Sequence, residues 1–219
     1  MVPEIVSLSI SRIHFPVTTL GPGNRIGVWF QGCNIQCPGC ISIDTWAHTP
    51  SNTTVAQVLA VCEDYSEVAD GVTITGGEPF EQPNALHALL SGIRRVLHPE
   101  ADSLVYSGRS FADIAPLLSQ WTDLVDAVIS EPYIQTESQT RPLLGSDNQQ
   151  LHTLTRRGEE RFRQFQRLRD SQDDKVDFMT DEGGKFWMAG IPRRGDMERL
   201  RKLLAEKGTL IQTSEQILE

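Results

Sequence analysis

The stretch CNIQCPGC, residues 33–40, holds three of the four cysteines of the chain in the spacing C-x3-C-x2-C. These gaps are short enough for Cys33, Cys37 and Cys40 to converge on one centre. Thiolates are ligands of both zinc and iron–sulfur clusters. A structural zinc site needs four ligands, here completed by Cys62 or His48, whereas three cysteines in one loop suit a four-iron cluster whose fourth iron has no protein ligand. The spacing therefore predicts a metal centre of one of these two kinds.

Length and charge narrow the class of protein. The 219 residues fit one large domain, residues 1–219, with a core at about 20–150. The net charge of −9 disfavours nucleic acid as a partner. Neither a signal peptide at residues 1–11 nor an apolar run of roughly 18 residues is found, so we expect no membrane span. Clustered cysteines favour metal binding in a reducing compartment, which predicts a cytoplasmic protein.

Hydrophobic periodicity predicts strands that alternate with helices. The predicted strands are residues 5–13, 25–30, 71–75, 103–106 and 125–129, and predicted helices follow Thr54, Pro83 and Ser110. This order is typical of a parallel sheet with outer helices. A full eight-fold barrel needs about 250 residues, so the fold prediction is α/β, a partial (β/α) barrel of about six parallel strands.

The second half of the chain has a looser pattern. Residues 136–150 are polar and resemble a loop, and residues 156–169 are rich in arginine and predict a short helix. Strands are predicted at 175–180 and 185–188 around a turn at 182–184, and a last helix runs from Asp196 to Gly208. The arginines form either a solvated helix face, paired in part with Glu159, Glu160 and Asp170, or a docking face for an acidic partner.

The segment Gly76-Gly77-Glu78-Pro79 ends the second core strand, as the cysteine loop ends the first. Ligand sites of parallel α/β proteins gather at the carboxyl ends of strands, so we expect the two segments to be neighbours. Paired glycines let a backbone approach a ligand closely, and Glu78 adds an acceptor for an ammonium group. A glycine pair alone also fits an ordinary tight turn.

A C-x3-C-x2-C loop followed by a strand ending in Gly-Gly-Glu-Pro resembles the radical S-adenosylmethionine (SAM) superfamily. The resemblance implies that Cys33, Cys37 and Cys40 hold a [4Fe–4S] cluster whose open iron binds SAM, the source of a 5′-deoxyadenosyl radical. It further implies a cofactor site in which the methionyl amino group meets Gly76, Gly77 and Glu78. The other implied cofactor-binding residues are Gly39 and Ile41 beside the adenine, Pro79 and Ser107.

Residues 21–25 and 44–46 are similar to the glycyl-radical-enzyme activases as a whole. Further segments are similar to one group of them, the activators of anaerobic ribonucleotide reductase, namely residues 38–39, 105–108 and 145–149, together with Asp126. The resemblance covers roughly residues 20–150 and implies a glycyl radical enzyme as partner and an electron donor such as flavodoxin or ferredoxin. The chain departs from the family pattern at Ile41-Ser42-Ile43, where asparagine is usual, and at residues 130–133, where Asp-Gly-Pro-Phe is usual.

Two other functions remain open at this stage. One is a radical SAM enzyme that acts directly on a small molecule or peptide, similar to 7-carboxy-7-deazaguanine synthase. The other is a zinc- or cluster-binding interaction module without catalysis. Within the same sequence we expect Cys62 to be a buried core thiol, the five histidines to be structural or surface residues, and Trp46 to shield the metal centre from water.

Overall fold

The computed structural model describes residues 5–180 and 186–209. Within them the strands are β1 (Ser7–Leu8), β2 (Ile10–Val17), β3 (Arg25–Phe30), β4 (Thr53–Thr54), β5 (Gly71–Gly76), β6 (Asp102–Tyr106), β7 (Ala127–Ser130), β8 (Gln150–Thr153), β9 (Val176–Thr180) and β10 (Phe186–Gly190). The α-helices are α1 (Val55–Glu63), α2 (Pro83–Val96), α3 (Phe111–Leu118), α4 (Arg156–Phe162) and α5 (Asp196–Glu206).

The main sheet has six strands in the order β2-β3-β5-β6-β7-β8. Strands β3, β5, β6 and β7 are mutually parallel, and β2 and β8 are antiparallel to their neighbours at the two edges. The α/β prediction is confirmed, but the prediction of about six parallel strands is wrong, because four are parallel. A parallel pair needs a crossover of about a dozen residues, usually a helix. The connection before β3 is too short for one, and the longer connection after β7 forms no helix.

Helices α1 and α2 pack on one face of the sheet, as their apolar stripes predict. The predicted capping box begins α1, with the Gln57 amide donating to the Thr54 hydroxyl at 3.3 Å and the Thr54 amide donating to the Gln57 side chain at 3.0 Å. Cys62 on α1 is fully buried in this core, and burial raises its thiol pKa to about 12. The prediction that Cys62 is a core thiol is confirmed.

Buried ion pairs close the amino ends of the parallel strands. The Arg25 guanidinium is inaccessible to solvent and contacts the Asp102 carboxylate at 2.6 Å, and Arg161 on α4 contacts the other oxygen of that carboxylate at 3.0 Å. Beside them the buried Asp126 carboxylate lies 2.6 Å from Arg94 and 3.3 Å from Arg157. Helix α4 therefore supplies two cations to carboxylates that the sheet has buried.

The remaining arginines of the cluster pair with acids close in sequence. Arg156 lies 2.8 Å from Glu160, Arg163 lies 3.6 Å from Glu159, and Arg167 lies 3.1 Å from Asp170. The predicted pairing with Glu159, Glu160 and Asp170 is confirmed. The predicted helix is shorter than residues 156–169, because α4 ends at Phe162 and a 3-10 turn follows.

The antiparallel hairpin β9–β10 packs against the first strands of the sheet. Met179 and Ala189 are buried with Leu20 and Trp29 in one apolar cluster. Both predicted strands are confirmed, and the predicted turn at 182–184 lies outside the described residues. Strand β8 was not predicted: it overlaps the predicted loop at 136–150 only at Gln150, and the pattern of its other residues gave no strand signal. Across the described ranges no helix has the length and apolar character to cross a bilayer.

Candidate active site

Two backbone hydrogen bonds join the carboxyl ends of β3 and β5. The Gly77 amide donates to the Phe30 carbonyl at 2.8 Å, and the Glu78 amide donates to the Gly32 carbonyl at 2.8 Å. A Cβ on Gly77 would lie 2.2 Å from the Gly32 oxygen, so only glycine fits this close approach. Gly76 has a φ of +100°, which also favours glycine. The predicted contact between the cysteine loop and the Gly-Gly-Glu-Pro segment is confirmed.

The cysteine loop is fixed at both of its ends. The Cys33 amide donates to the Trp46 carbonyl at 3.0 Å, and the Cys40 amide donates to the Cys37 carbonyl at 3.1 Å. The Glu81 carboxylate accepts from the Asn34 amide at 2.9 Å and from its side chain at 3.0 Å. These bonds hold the loop, and its three cysteines line one cavity.

The three thiols of Cys33, Cys37 and Cys40 suit a cluster in their chemistry. Burial raises the pKa of each, and nearby N–H groups oppose that rise. The Ser42 amide donates to the Cys40 sulfur at 3.4 Å, and N–H donors of this kind tune the reduction potentials of thiolate-bound clusters. The described ranges include no group of three His, Cys, Asp or Glu spaced for one metal ion. The fit of a cluster is therefore supported by the chemistry of the three thiols and their N–H donors, and not by short distances between the thiols.

Glu78 is 1% exposed, and its carboxylate is already hydrogen-bonded within the protein. One oxygen accepts from the Ser107 hydroxyl and the Phe80 amide, both at 3.0 Å, and the other accepts from the Gly108 amide at 2.8 Å. Burial raises the Glu78 pKa, and these three donors together with Arg109 oppose the rise. Glu78 thus joins the ends of β5 and β6 across the floor of the site.

A cavity of about 420 Å³ opens at these strand ends. The structure brings nearly all predicted site residues together in its lining, namely Cys33, Cys37, Gly39, Cys40, Ile41, Gly76, Gly77, Glu78 and Ser107. Pro79 is instead buried at the start of a 3-10 turn. Trp46 also lines the cavity, next to Cys40. Asp126 lies at the opposite, amino ends of the strands, where it pairs with arginines.

Sequence reasoning missed two parts of the lining. Gln135 and Gln139 reach the cavity from the loop between β7 and β8, as does Gln149 of the segment 145–149 named above, and residues 188–195, 197 and 198 reach it from β10 and the start of α5. Gln149 also orders that loop, since it accepts from the Gly145 amide at 2.8 Å. A glutamine in a polar loop carries no pattern that marks it as a site residue. The contribution of residues 188–198 depends on long-range packing.

Comparison with known proteins identifies the family. Residues 19–152, more than half of the chain, match the family model described as a 4Fe-4S single cluster domain. The chain belongs to this family. The three-cysteine loop lies inside the matched residues, and the family description supports an iron–sulfur cluster over a zinc site.

Named relatives of this 4Fe-4S single cluster protein are activating proteins. The chain is 28% identical over 152 residues to the anaerobic ribonucleoside-triphosphate reductase-activating protein of Vibrio cholerae, a match that covers 65% of this chain and 96% of the relative. It is 31% identical over 139 residues to the same activator of Enterobacteria phage T4, covering 62% of this chain and 87% of the relative. It is 31% identical over 111 residues to the pyruvate formate-lyase-activating enzyme of Clostridium pasteurianum, covering 48% and 45%.

These matches confirm the resemblance to the glycyl-radical-enzyme activases. They also show where the region shared with the family ends within the chain. The Vibrio cholerae match takes in nearly all of that relative and leaves about a third of this chain outside it, and the family model stops at residue 152. Helix α4, the β9–β10 hairpin and α5 therefore lie beyond the part that defines the family.

Proposed function

We propose that this protein is a cytoplasmic radical SAM activase that installs a glycyl radical on a partner enzyme such as an anaerobic ribonucleotide reductase. The observation that carries the proposal is a three-cysteine loop hydrogen-bonded to a Gly-Gly-Glu-Pro strand end, in a chain related to activating proteins. When bound and reduced by a donor such as flavodoxin or ferredoxin, the cluster supplies one electron that cleaves SAM to methionine and a 5′-deoxyadenosyl radical.

Each group of residues has a distinct task in this proposal. Cys33, Cys37 and Cys40 would hold the cluster, and with three protein ligands it would supply an open iron to which SAM could bind. Gly76 and Gly77 line the cavity, and their backbone would receive the methionyl amino group there.

Glu78 contributes mainly by position. Its three internal hydrogen bonds fix the ends of β5 and β6, and an ionised carboxylate offers about four acceptor sites. One acceptor site is therefore left for the ammonium of SAM. Trp46 beside Cys40 excludes water from the radical, which suppresses side reactions.

A second candidate is direct action on a small molecule or a short peptide. The observation that favours it is the lining contributed by residues 188–198, which narrows the open side of the cavity. Product formed from a small substrate with no protein partner present would select this candidate.

The test uses the full chain reconstituted anaerobically with iron and sulfide and supplied with SAM and dithionite. We expect 5′-deoxyadenosine from the wild type and none from Cys40→Ala. With a co-encoded glycyl radical enzyme added, a glycyl-radical doublet should appear in the electron paramagnetic resonance spectrum of that partner. A colourless, zinc-loaded protein without 5′-deoxyadenosine would contradict the proposal, and 5′-deoxyadenosine without any doublet would leave the second candidate.

A further inference from the structure

Residues 190–195, which we call the strap, cross the open side of the cavity. All six line it, and all lie outside the residues that match the family. On one side the strap continues from β10, whose hairpin is attached to the turn after β2. There Asp177 accepts from the Thr18 amide at 2.6 Å and from the Thr18 hydroxyl at 2.8 Å.

On the other side the strap is tied to the loop between β7 and β8. The Gln139 side chain donates to the Pro192 carbonyl at 3.0 Å, and the Arg194 guanidinium donates to the Glu137 carbonyl. The hairpin is attached near β2 and β3, and this loop follows β7. The strap therefore spans the two sides of an open sheet, above the cysteine loop.

A buried arginine supports the strap from behind. Arg169 is 4% exposed and donates to the Ile191 carbonyl. Its guanidinium lies 3.0 Å from Asp174, and the same carboxylate lies 2.6 Å from Arg193. Asp174 thus links the strap to a fixed point of the fold, although it does not itself line the cavity.

Glycine stands at each end of the strap in a left-handed conformation. Gly190 has a φ of +131° and Gly195 a φ of +83°. A Cβ on Gly195 would meet nothing within 4 Å, so glycine is needed there for its backbone and not for space. Two such positions flanking a segment held by polar contacts allow it to swing as a unit.

From these contacts we infer that the strap controls access to the cavity and opens about Gly190 and Gly195. The inference rests on the proposed function in that the cavity is taken as the cofactor site. A cavity of about 420 Å³ lies at the small end of the range for cofactor sites. Because the strap crosses the open side of this cavity, a reacting group of a partner protein would enter past it.

The test compares Asp174→Asn with Asp173→Asn in the full chain. Both replace an ion-paired carboxylate, but Asp173 pairs with Arg167, at 2.7 Å, and does not contact the strap. Hydrogen–deuterium exchange is followed in peptides that cover residues 186–198. We expect exchange there to rise about fivefold in Asp174→Asn, as loss of a partly exposed charged contact allows, and to stay at the wild-type rate in Asp173→Asn.

Access to the metal centre gives the second readout, on the cluster-loaded chain. Bathophenanthroline disulfonate is a bulky iron chelator, and dissolved oxygen is a small oxidant. We expect Asp174→Asn to raise bleaching by the chelator about fivefold, in step with strap opening, and to leave bleaching by oxygen unchanged. Equal chelator bleaching in both variants despite faster strap exchange, or unchanged strap exchange, would overturn the inference.

A second pair of variants tests the inference if Asp174→Asn fails to fold. Gly195→Ala and Gly208→Ala make the same change at φ +83° and +80°, with open space around each Cβ. Left-handed alanine disfavours the closed strap, so Gly195→Ala should raise exchange in residues 186–198 by about fivefold or more, and Gly208→Ala should not. Equal exchange in the two would overturn the inference. Exchange needs no cluster, so a protein that never binds iron counts against the proposed function alone.

Discussion

Residues 1–152 and residues 153–219 differ in their content of positively charged residues. Only six of the 20 Lys and Arg lie in the first part, all of them arginine, which leaves 14 in the second. The first part builds the site from backbone contacts and a buried carboxylate, Glu78. The second attaches to it through cations, at the amino ends by Arg157 and Arg161 and above the site by Arg194. Under the proposed function, the first part carries the chemistry and the second part controls access to it.

The largest effect should come from the cysteine loop. Cys40→Ala removes one of three thiolates, and a cluster with two protein ligands should not persist through gel filtration. Iron and sulfide content should fall to background. The matched control is Cys62→Ala, which removes the one cysteine outside the loop, buried in the core. It should keep full iron content and lose about 1 kcal/mol of stability, the cost of a small cavity. Equal iron loss in both variants would contradict the assignment.

The next largest effect on stability distinguishes the two partners of the Asp102 carboxylate, one from each part of the chain. Arg25→Met leaves Asp102 without its buried partner, and breaking a buried pair costs about 3–5 kcal/mol. Arg161→Met removes the partner supplied by α4, which is 35% exposed, so about 1 kcal/mol is expected after screening by solvent. Urea unfolding measures both. A larger loss from Arg161→Met would reverse the comparison.

Glu78→Gln should have an intermediate effect on folding stability and should change how that stability depends on pH. The amide must point its NH₂ at a Gly108, Phe80 or Ser107 donor, and one unpaired buried donor costs about 1–3 kcal/mol. The wild-type Glu78 pKa is raised from its ordinary 4.5, so the native state binds more protons than the unfolded state above that pH. Wild-type stability therefore falls as pH rises from 4.5 through the raised pKa.

The control for this pH dependence is Glu81→Gln, because the Glu81 carboxylate lies beside the same loop, where it accepts from Asn34. Urea midpoints are measured from pH 4.5 upward. The downward slope should vanish in Glu78→Gln and persist in Glu81→Gln. A slope retained in both would place its origin in another group.

The smallest effect belongs to the exposed arginines of α4. Arg156→Gln removes an i,i+4 pair with Glu160 whose side chains are 90% and 59% exposed. Solvent screens such exposed pairs almost completely, so the melting temperature should hardly move. Raising the salt concentration should erase what difference remains. A loss as large as that of Arg161→Met would show that the exposed face is held by a contact beyond this pair.

How much the sequence alone predicts depends on the range of the interaction. Strand β3 over residues 25–30, the capping box of α1 and the pairing of the cysteine loop with Gly77 follow from local patterns and strand order, and all are confirmed. The antiparallel edges were missed, because a polar strand such as β8 gives no strand signal.

Long-range polar contacts were hidden from sequence reasoning for a physical reason. A hydrogen bond to a carbonyl, as from Gln139 to Pro192, is available at any residue, so the accepting residue type carries no signal. The partners of Arg157 and Arg161 are 31 and 59 residues away along the chain. The strap could therefore be found only after the chain was folded.

The most direct test of the proposed cofactor site is the electron paramagnetic resonance spectrum of the dithionite-reduced full chain, before and after SAM is added. Under the proposed function three cysteine ligands leave one iron open, so SAM bound to it must alter the spectrum of the reduced cluster. We predict a [4Fe–4S] signal whose g-values shift on adding SAM, in Cys62→Ala as in the wild type. A spectrum that SAM leaves unchanged would contradict the claim that this loop holds an open iron for SAM.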